Sequence, residues 1–481
     1  MRSQFILRSV MAIPLAAAAA LSGCGHHAPK TSATAASGQT AAAAAAAAAG
    51  HMGPKSWPVY GLNDAHDAAF AGSGAAVHWI YKVPGAIPAG MTPKQVRATY
   101  GNPTTVRDLV GVPIGVAVVD GTVYVPDDNG YVYALNAADG QKEWQFNALN
   151  QIMTTPVVAG MGAKRLVYVG AGNSDFSYTQ AVKFAHPGSA IVRGTDVGAV
   201  YALHAKTGKL AWVYHTKGED MPTPAYVHGT LVFGNGDGHI YGLNAQTGHF
   251  LWKTPIRSFV SMSSATRDGN LVIMAGTHPN AVYAVNAKTG HLQWKTAPPR
   301  VFSSSMGDCA PAAADGLVVT QYEEQAGKGE ARSVELALNA KTGHIVWSTD
   351  LGQGKVPPRN KDAVPMIVGH TLYTGSPVTA TAYAMNLKTG KVLWKTPLKV
   401  KMKAAPTVYG TDVIYPTANG TVFVLNRKTG HVLETVKTHH GGFGPQNGVL
   451  IGKTFFIGSN FGWVYAWPVD SLLKPAATPA S

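Results

Sequence analysis

Charge is scarce in this chain, and negative charge is scarcest. Asp, Glu, Lys and Arg make up 13% of the 481 residues, about half the usual soluble share of roughly 25%. Only 25 carboxylates stand against 39 Lys and Arg, with 18 His besides. A fold that uses few carboxylates has little to lose when acid protonates them, so one reading is an acidic exterior. The other is an anionic partner: nucleic acid, a membrane surface or a small dianion. Nucleic acid is set aside, because the basic residues are dispersed, with no basic run and no reader motif. Cysteine is nearly absent, with Cys24 and Cys309 alone. Outside the first residues, nothing reaches the roughly 18 uninterrupted apolar residues of a spanning helix.

The amino terminus reads as a leader. Arg2 and Arg8 form a positive region, and residues 10–21 a short apolar stretch. Leu21-Ser22-Gly23-Cys24 follows and resembles the bacterial lipobox, in which the Cys becomes the lipidated first residue. An ordinary secretory signal cut near the Ala run is the alternative, and both predict export to the periplasm, the outer membrane, the cell surface or the medium. Residues 25–55 are rich in Ala, Ser and Thr without pattern and read as a tether. With the leader gone Cys309 stands alone, which excludes an intrachain disulfide and any cysteine-based zinc or iron–sulfur site.

What is abundant is repetition. Tyr131-Val-Tyr-Ala-Leu-Asn136-Ala-Ala-Asp-Gly140 runs on to Trp144, and the unit returns with Gly208 and Trp212, then Gly248 and Trp252. It recurs at Gly290 with Trp294, Gly343 with Trp347 and Gly390 with Trp394; a seventh copy, Asn426 to Gly430, carries Glu434 in place of Trp. An alternating strand enters Asn-Ala-Lys-Thr-Gly, where Asn bonds local backbone and Gly supplies the positive φ of a tight hairpin. A second strand follows at once. Gly-to-Gly spacings of 68, 40, 42, 53, 47 and 40 residues leave room for four strands per unit, the period of a β-propeller.

These residues resemble the PQQ-like β-propeller repeat, with six full matches over residues 115–465. Closure sets the expected blade count. The carboxyl-terminal Trp463-Val-Tyr-Ala-Trp467 supplies inner strands without an outer one, and Ala76-Val-His-Trp79-Ile-Tyr-Lys supplies the outer strand that is missing. The expectation is therefore an all-β, eight-bladed propeller over residues 56–475, its last blade shared by both chain ends, which leaves no free edge.

In such a fold the Lys-Thr-Gly hairpins share one face. The outer-to-inner loops and the second-to-third loops share the other. Excess length falls at 172–197 and 321–333, with 84–110 as a further insertion, all assigned to the second face. Long loops on a rigid scaffold commonly carry function, so the site is expected there. Met153, Met221, Met262, Met306, Met366 and Met402 recur in these loops; they read as gap fillers near the channel mouth rather than a soft-metal ring, since no His accompanies them at regular spacing. No metal and no cofactor are expected. Carboxylates are few: Glu219, Asp220, Asp308 and Asp362. Asp308, in Ser-Met306-Gly-Asp308-Cys309-Ala-Pro, precedes an inner strand, where side chains reach the central channel; a turn aspartate bonded to backbone amides is the equally open alternative. Neighbours on an extended segment point to opposite faces, so Cys309 packs if Asp308 lines the channel.

Three members of this architecture fit to different degrees. Quinone-dependent dehydrogenases carry adjacent cysteines, which this chain lacks. The lipoprotein scaffold of outer-membrane β-barrel assembly shares the lipobox and eight blades and needs no catalytic residue. The chain most resembles tetrathionate hydrolases of acidophilic sulfur-oxidising bacteria. That resemblance implies hydrolysis of tetrathionate and carries an essential aspartate over to Asp308 alone. Met306 and Cys309 beside it are candidate accessory positions, and a homodimer is a candidate assembly. Arg193, Arg300 and Arg359 are expected, by loop position, to clamp the anionic substrate.

Overall fold

The computed structural model describes residues 69–70, 75–92, 94–95, 98, 111–112, 114–148, 150–172, 198–302, 305–357 and 362–473. The expected leader with Cys24, the tether, Arg193, Arg359 and residues 173–197 lie outside the described residues.

The described residues form eight blades, seven sheets of four strands and one of five, each strand hydrogen-bonded to its neighbours in the blade. The first runs Ala117–Val119, Thr122–Pro126, Tyr131–Asn136, Lys142–Asn147, antiparallel throughout. Middle strands are apolar on both sides because a neighbouring sheet covers each face; Leu166–Ala171 and Thr454–Gly458 are buried at every residue. Outermost strands alternate, as in Val432–Lys437, because only one face is covered. The closing blade is the shared one. Trp79–Lys82 pairs antiparallel with Trp463–Pro468, placing the amino-terminal strand outside Val449–Ile451 and Thr454–Gly458. One strand was not anticipated from the sequence: Ala69–Phe70 adds to the seventh blade, parallel to its innermost strand Thr407–Tyr409.

Blade joins blade through the repeat's Trp and Gly. Trp294 donates from Nε1 to the Ala340 carbonyl of the next hairpin at 2.8 Å, and a Cβ on Gly343 would stand 2.6 Å from its ring. The same pairing couples Trp79 with Gly140, Trp144 with Gly208 and Trp394 with Gly430. Gly is required there twice over, since Gly343 has φ 71°. The Glu434 exception follows from topology. Glu434 stands opposite Val424, as Trp394 stands opposite Ala384. The eighth blade's third strand runs into a short helix, Val469–Leu473, instead of a hairpin. With no hairpin glycine to receive it, a Trp at 434 would have no seat.

Candidate functional site

The loop face is built from chain that the repeat does not dictate. Residues 84–92 lie on it: Ile87 donates its amide to the Phe461 carbonyl at 2.9 Å, and Gly90 to that of His439 at 2.8 Å. The 321–333 segment takes a different form from a loop. It continues the ladder, so the second and third strands of blade 5 extend over Leu317–Gly327 and Glu330–Asn339.

Asp308 ends a 3₁₀ turn, Ser305–Asp308, at the entrance to the inner strand Ala312–Ala314. The turn is held from both sides. Met262 donates its amide to the Gly307 carbonyl at 2.9 Å. A Cβ on Gly307 would lie 3.1 Å from the Thr277 side chain, a close approach. Met306 is fully buried among Ile273, Ala313 and Val318. The methionines are packing groups here: Met221 and Met262 cluster with Ile114, and Met153 packs against them.

Cys309 is fully buried. Its thiol donates to the Ala363 carbonyl at 3.3 Å, while its sulfur accepts the Gln321 amide at 3.4 Å. Burial first, then the charge of Asp362, pushes the thiol well above its ordinary range. A thiol so placed stays protonated and is no nucleophile. Gln321 is the hub behind it. Its Nε2 donates to Glu335 at 2.9 Å and to the Gly375 carbonyl at 2.9 Å, and its Oε1 accepts the Ala363 amide at 2.9 Å. Glu335 is fully buried, and burial raises it to about 8.

A second group of carboxylates lies between blades 2 and 3. Asp220 accepts from Thr216 and, at 2.7 Å, from Asn235 Nδ2, and burial raises it to about 8. Asp237 accepts from the Tyr241 hydroxyl at 2.6 Å. On blade 1, Asp127 accepts the Tyr131 amide at 2.9 Å and is raised by burial to about 6. The loop face thus keeps several of the chain's few carboxylates out of water.

Of the three expected clamps only Arg300 is described. It is exposed and bonded to Glu324 at 3.1 Å, beside an Arg332–Asp350 pair at 3.2 Å. Among the described residues no cluster of three or more His, Cys, Asp or Glu is arranged to hold a metal ion, and no helix is long and apolar enough to cross a membrane. Gln321 and Glu335 were not singled out from the sequence, although a signal existed: polar residues at every second position, Gln321 and Glu323 on one strand, Ser333 and Glu335 on the next, where other blades are apolar.

Comparison with known proteins matches the family model described as outer membrane protein assembly factor BamB at residues 95–270, 260–377 and 330–466. The structure is similar to BamB from Moraxella catarrhalis, with a TM-score of 0.56 at 17% identity, over 74% of this chain and 96% of that one; the likeness is one of fold. The chain is 34% identical to a tetrathionate hydrolase of Acidithiobacillus ferrooxidans over 443 residues, 88% of this chain and 87% of the relative. It is 32% identical to a tetrathionate hydrolase of Acidianus ambivalens, over 87% of this chain and 85% of the relative. A PQQ-like propeller by its repeats and a hydrolase-like enzyme by its full-length relatives, the chain belongs to the tetrathionate hydrolase family.

Proposed function

We propose that this protein is an exported, acid-adapted hydrolase that splits tetrathionate on the loop face, with Asp308 as its catalytic group. The observation that carries the reading is the similarity to two tetrathionate hydrolases over 88% and 87% of the chain. Interred carboxylates with raised pKa values support operation in acid, because they are neutral and need no cation there.

Tetrathionate carries a sulfonate at each end of a disulfane unit. One water converts it to thiosulfate, one sulfur atom and sulfate, with two protons released. The protein has to hold the sulfonates by positive charge and move protons at low pH. His, with a reference pKa near 6.5, is already charged there, whereas Asp, near 3.9, still exchanges its proton around pH ~3. Asp308 activates the water or attacks sulfur itself. Arg193 and Arg359, by loop position, together with protonated His, are assigned the sulfonates; Arg300 serves only by leaving Glu324.

The test is product analysis with the full mature chain at pH about 3. Thiosulfate and sulfate appearing in equal amounts from tetrathionate support the reading; folded protein without turnover removes it. The BamB-type fold favours one second reading, a non-catalytic, lipid-anchored scaffold on the outer membrane. That reading predicts no turnover, and a stable outer-membrane protein recovered with the chain.

A further inference from the structure

The eight blades offer an internal control for every position of the repeat. Take the pair of residues on the second and third strands that lies two steps beyond the residue facing the repeat Trp. In blade 3 this pair is Gly234–Ile240, in blade 4 Ala275–Val282 and in blade 6 Gly375–Ala382. The four remaining blades outside blade 5 likewise set Gly or Pro against Val. Blade 5 alone sets Gln321 against Glu335. Seven small or apolar pairs show that the fold closes without polarity here, and burying a carboxyl group is costly unless something is gained.

What the exception does is legible in its bonds. Gln321 spans the gap between blades 5 and 6, bonding Glu335 on its own sheet, the Gly375 carbonyl on the next, and the Ala363 amide in the loop between them. Its own backbone amide reaches Cys309, whose thiol returns to the Ala363 carbonyl. These struts thus converge on Cys309 and Ala363, one residue from Asp308 and from Asp362. The amide orientation is set by the network, because the Ala363 N–H requires an oxygen opposite it.

We infer that Gln321 and Glu335 are positioning residues of the reaction, a neutral brace that fixes the chain beside Asp308 and holds only while Glu335 is protonated. The inference rests on the reading of Asp308 as the catalytic group. Glu335 Oε2 accepts from Gln321, and the Thr374 hydroxyl bears on the same carboxyl group. Among the described residues no cation lies within ion-pair distance of Glu335. The titratable groups around it are Cys309 from the turn, Asp362 from the blade 5–6 loop, and Glu323 on the same sheet face two residues from Gln321. Blade 6 contributes the uncharged Thr374, and Lys403 of the following loop accepts the Val364 amide through its carbonyl. Ionising Glu335 adds a buried negative charge to this setting, and a pKa raised by burial to about 8 keeps the group neutral in acid.

The experiment compares pH profiles of kcat and KM, from pH 3 to 10, for the full chain and for Glu335→Gln, Gln321→Glu and Asp308→Asn, with a folding transition recorded for each at pH 3. Glu335→Gln, neutral at every pH, is expected to keep kcat within about twofold at pH 3 and to move the alkaline limb up by about one pH unit. Gln321→Glu places a second carboxyl group against the first and moves that limb down, through kcat rather than KM. A Glu335→Gln profile that superimposes on the wild type, with Asp308→Asn inactive, overturns the brace and leaves the site reading standing. An active Asp308→Asn overturns the site reading, and the inference with it. If Glu335→Gln shows no folding transition, Gln321→Glu decides alone, and an unmoved limb overturns the brace.

Discussion

The two faces of this propeller are made from the same strands and obey different rules. On the hairpin face the turns repeat, with His204 of blade 2 the departure from Asn: Asn286 Oδ1 accepts the amides of Lys288 and Thr289 at 3.0 and 3.1 Å, and Asn386 does the same for Lys388 and Thr389 at 3.1 and 3.0 Å. On the loop face the turns that close at Gly130, Gly238, Gly420 and Gly462 share one pattern, whereas the connections of blades 4, 5 and 6 each differ, and carboxyl groups such as Glu219, Asp220, Asp362 and Glu335 are buried. Periodicity serves closure, since every hairpin must seat the previous blade's Trp. Departure from periodicity serves chemistry, since a site needs groups that occur once. The clearest case is blade 5, where Gln321–Glu335 replaces a pair that is small or apolar in the other blades.

That contrast can be broken on either side. Substitution Trp294→Ala removes a buried ring and its bond to Ala340. It should lower stability by about 3–5 kcal/mol and leave kcat per folded molecule unchanged, which denaturant unfolding and active-site titration would check. Raising the pH attacks the other face. Asp220 and Glu335, near 8 when folded, and Asp127, near 6, hold protons that the unfolded chain releases around its ordinary 3.8–4.5. The folded state therefore binds more protons between about pH 4 and 8, so stability is greatest below pH 4 and falls as pH rises through that window. A tenfold difference in proton affinity between folded and unfolded chain is worth about 1.4 kcal/mol, and Tm measured from pH 3 to 8 should decline accordingly; a rising Tm would refute the assignment. Gly343→Ala forces a Cβ to 2.6 Å from the Trp294 ring at a φ of 71°, and should cost on the order of 1–3 kcal/mol. Thr296→Val, which deletes a 2.6 Å bond to the Gly343 carbonyl, is the mildest, at about 0.5–1.5 kcal/mol.

The fold was legible because it is periodic. Blade number, the shared last blade and the Trp–Gly spacing all follow from repeated residues, down to the Glu434 exception once the carboxyl-terminal helix is seen. The site was legible only in part. The turn at 305–308 stood out by its unrepeated Met-Gly-Asp-Cys, whereas Gln321 opens a stretch, 321–333, that reads as a loop insertion and folds as continuous strands, with Glu335 just beyond it. Their partnership depends on cross-strand register, and their contact with Ala363 and Gly375 on the approach of a neighbouring blade. Neither is written in local sequence. The parallel addition of Ala69–Phe70 to the innermost strand of blade 7 is likewise a long-range pairing with no local signal.

Catalysis by Asp308 is tested most directly by kcat for tetrathionate and Tm, taken from the same preparations of the wild type and Asp308→Asn at pH about 3. An unchanged Tm is expected, with a loss of thiosulfate production of at least about a hundredfold. An Asp308→Asn protein that folds and still releases thiosulfate at the wild-type rate would contradict that role.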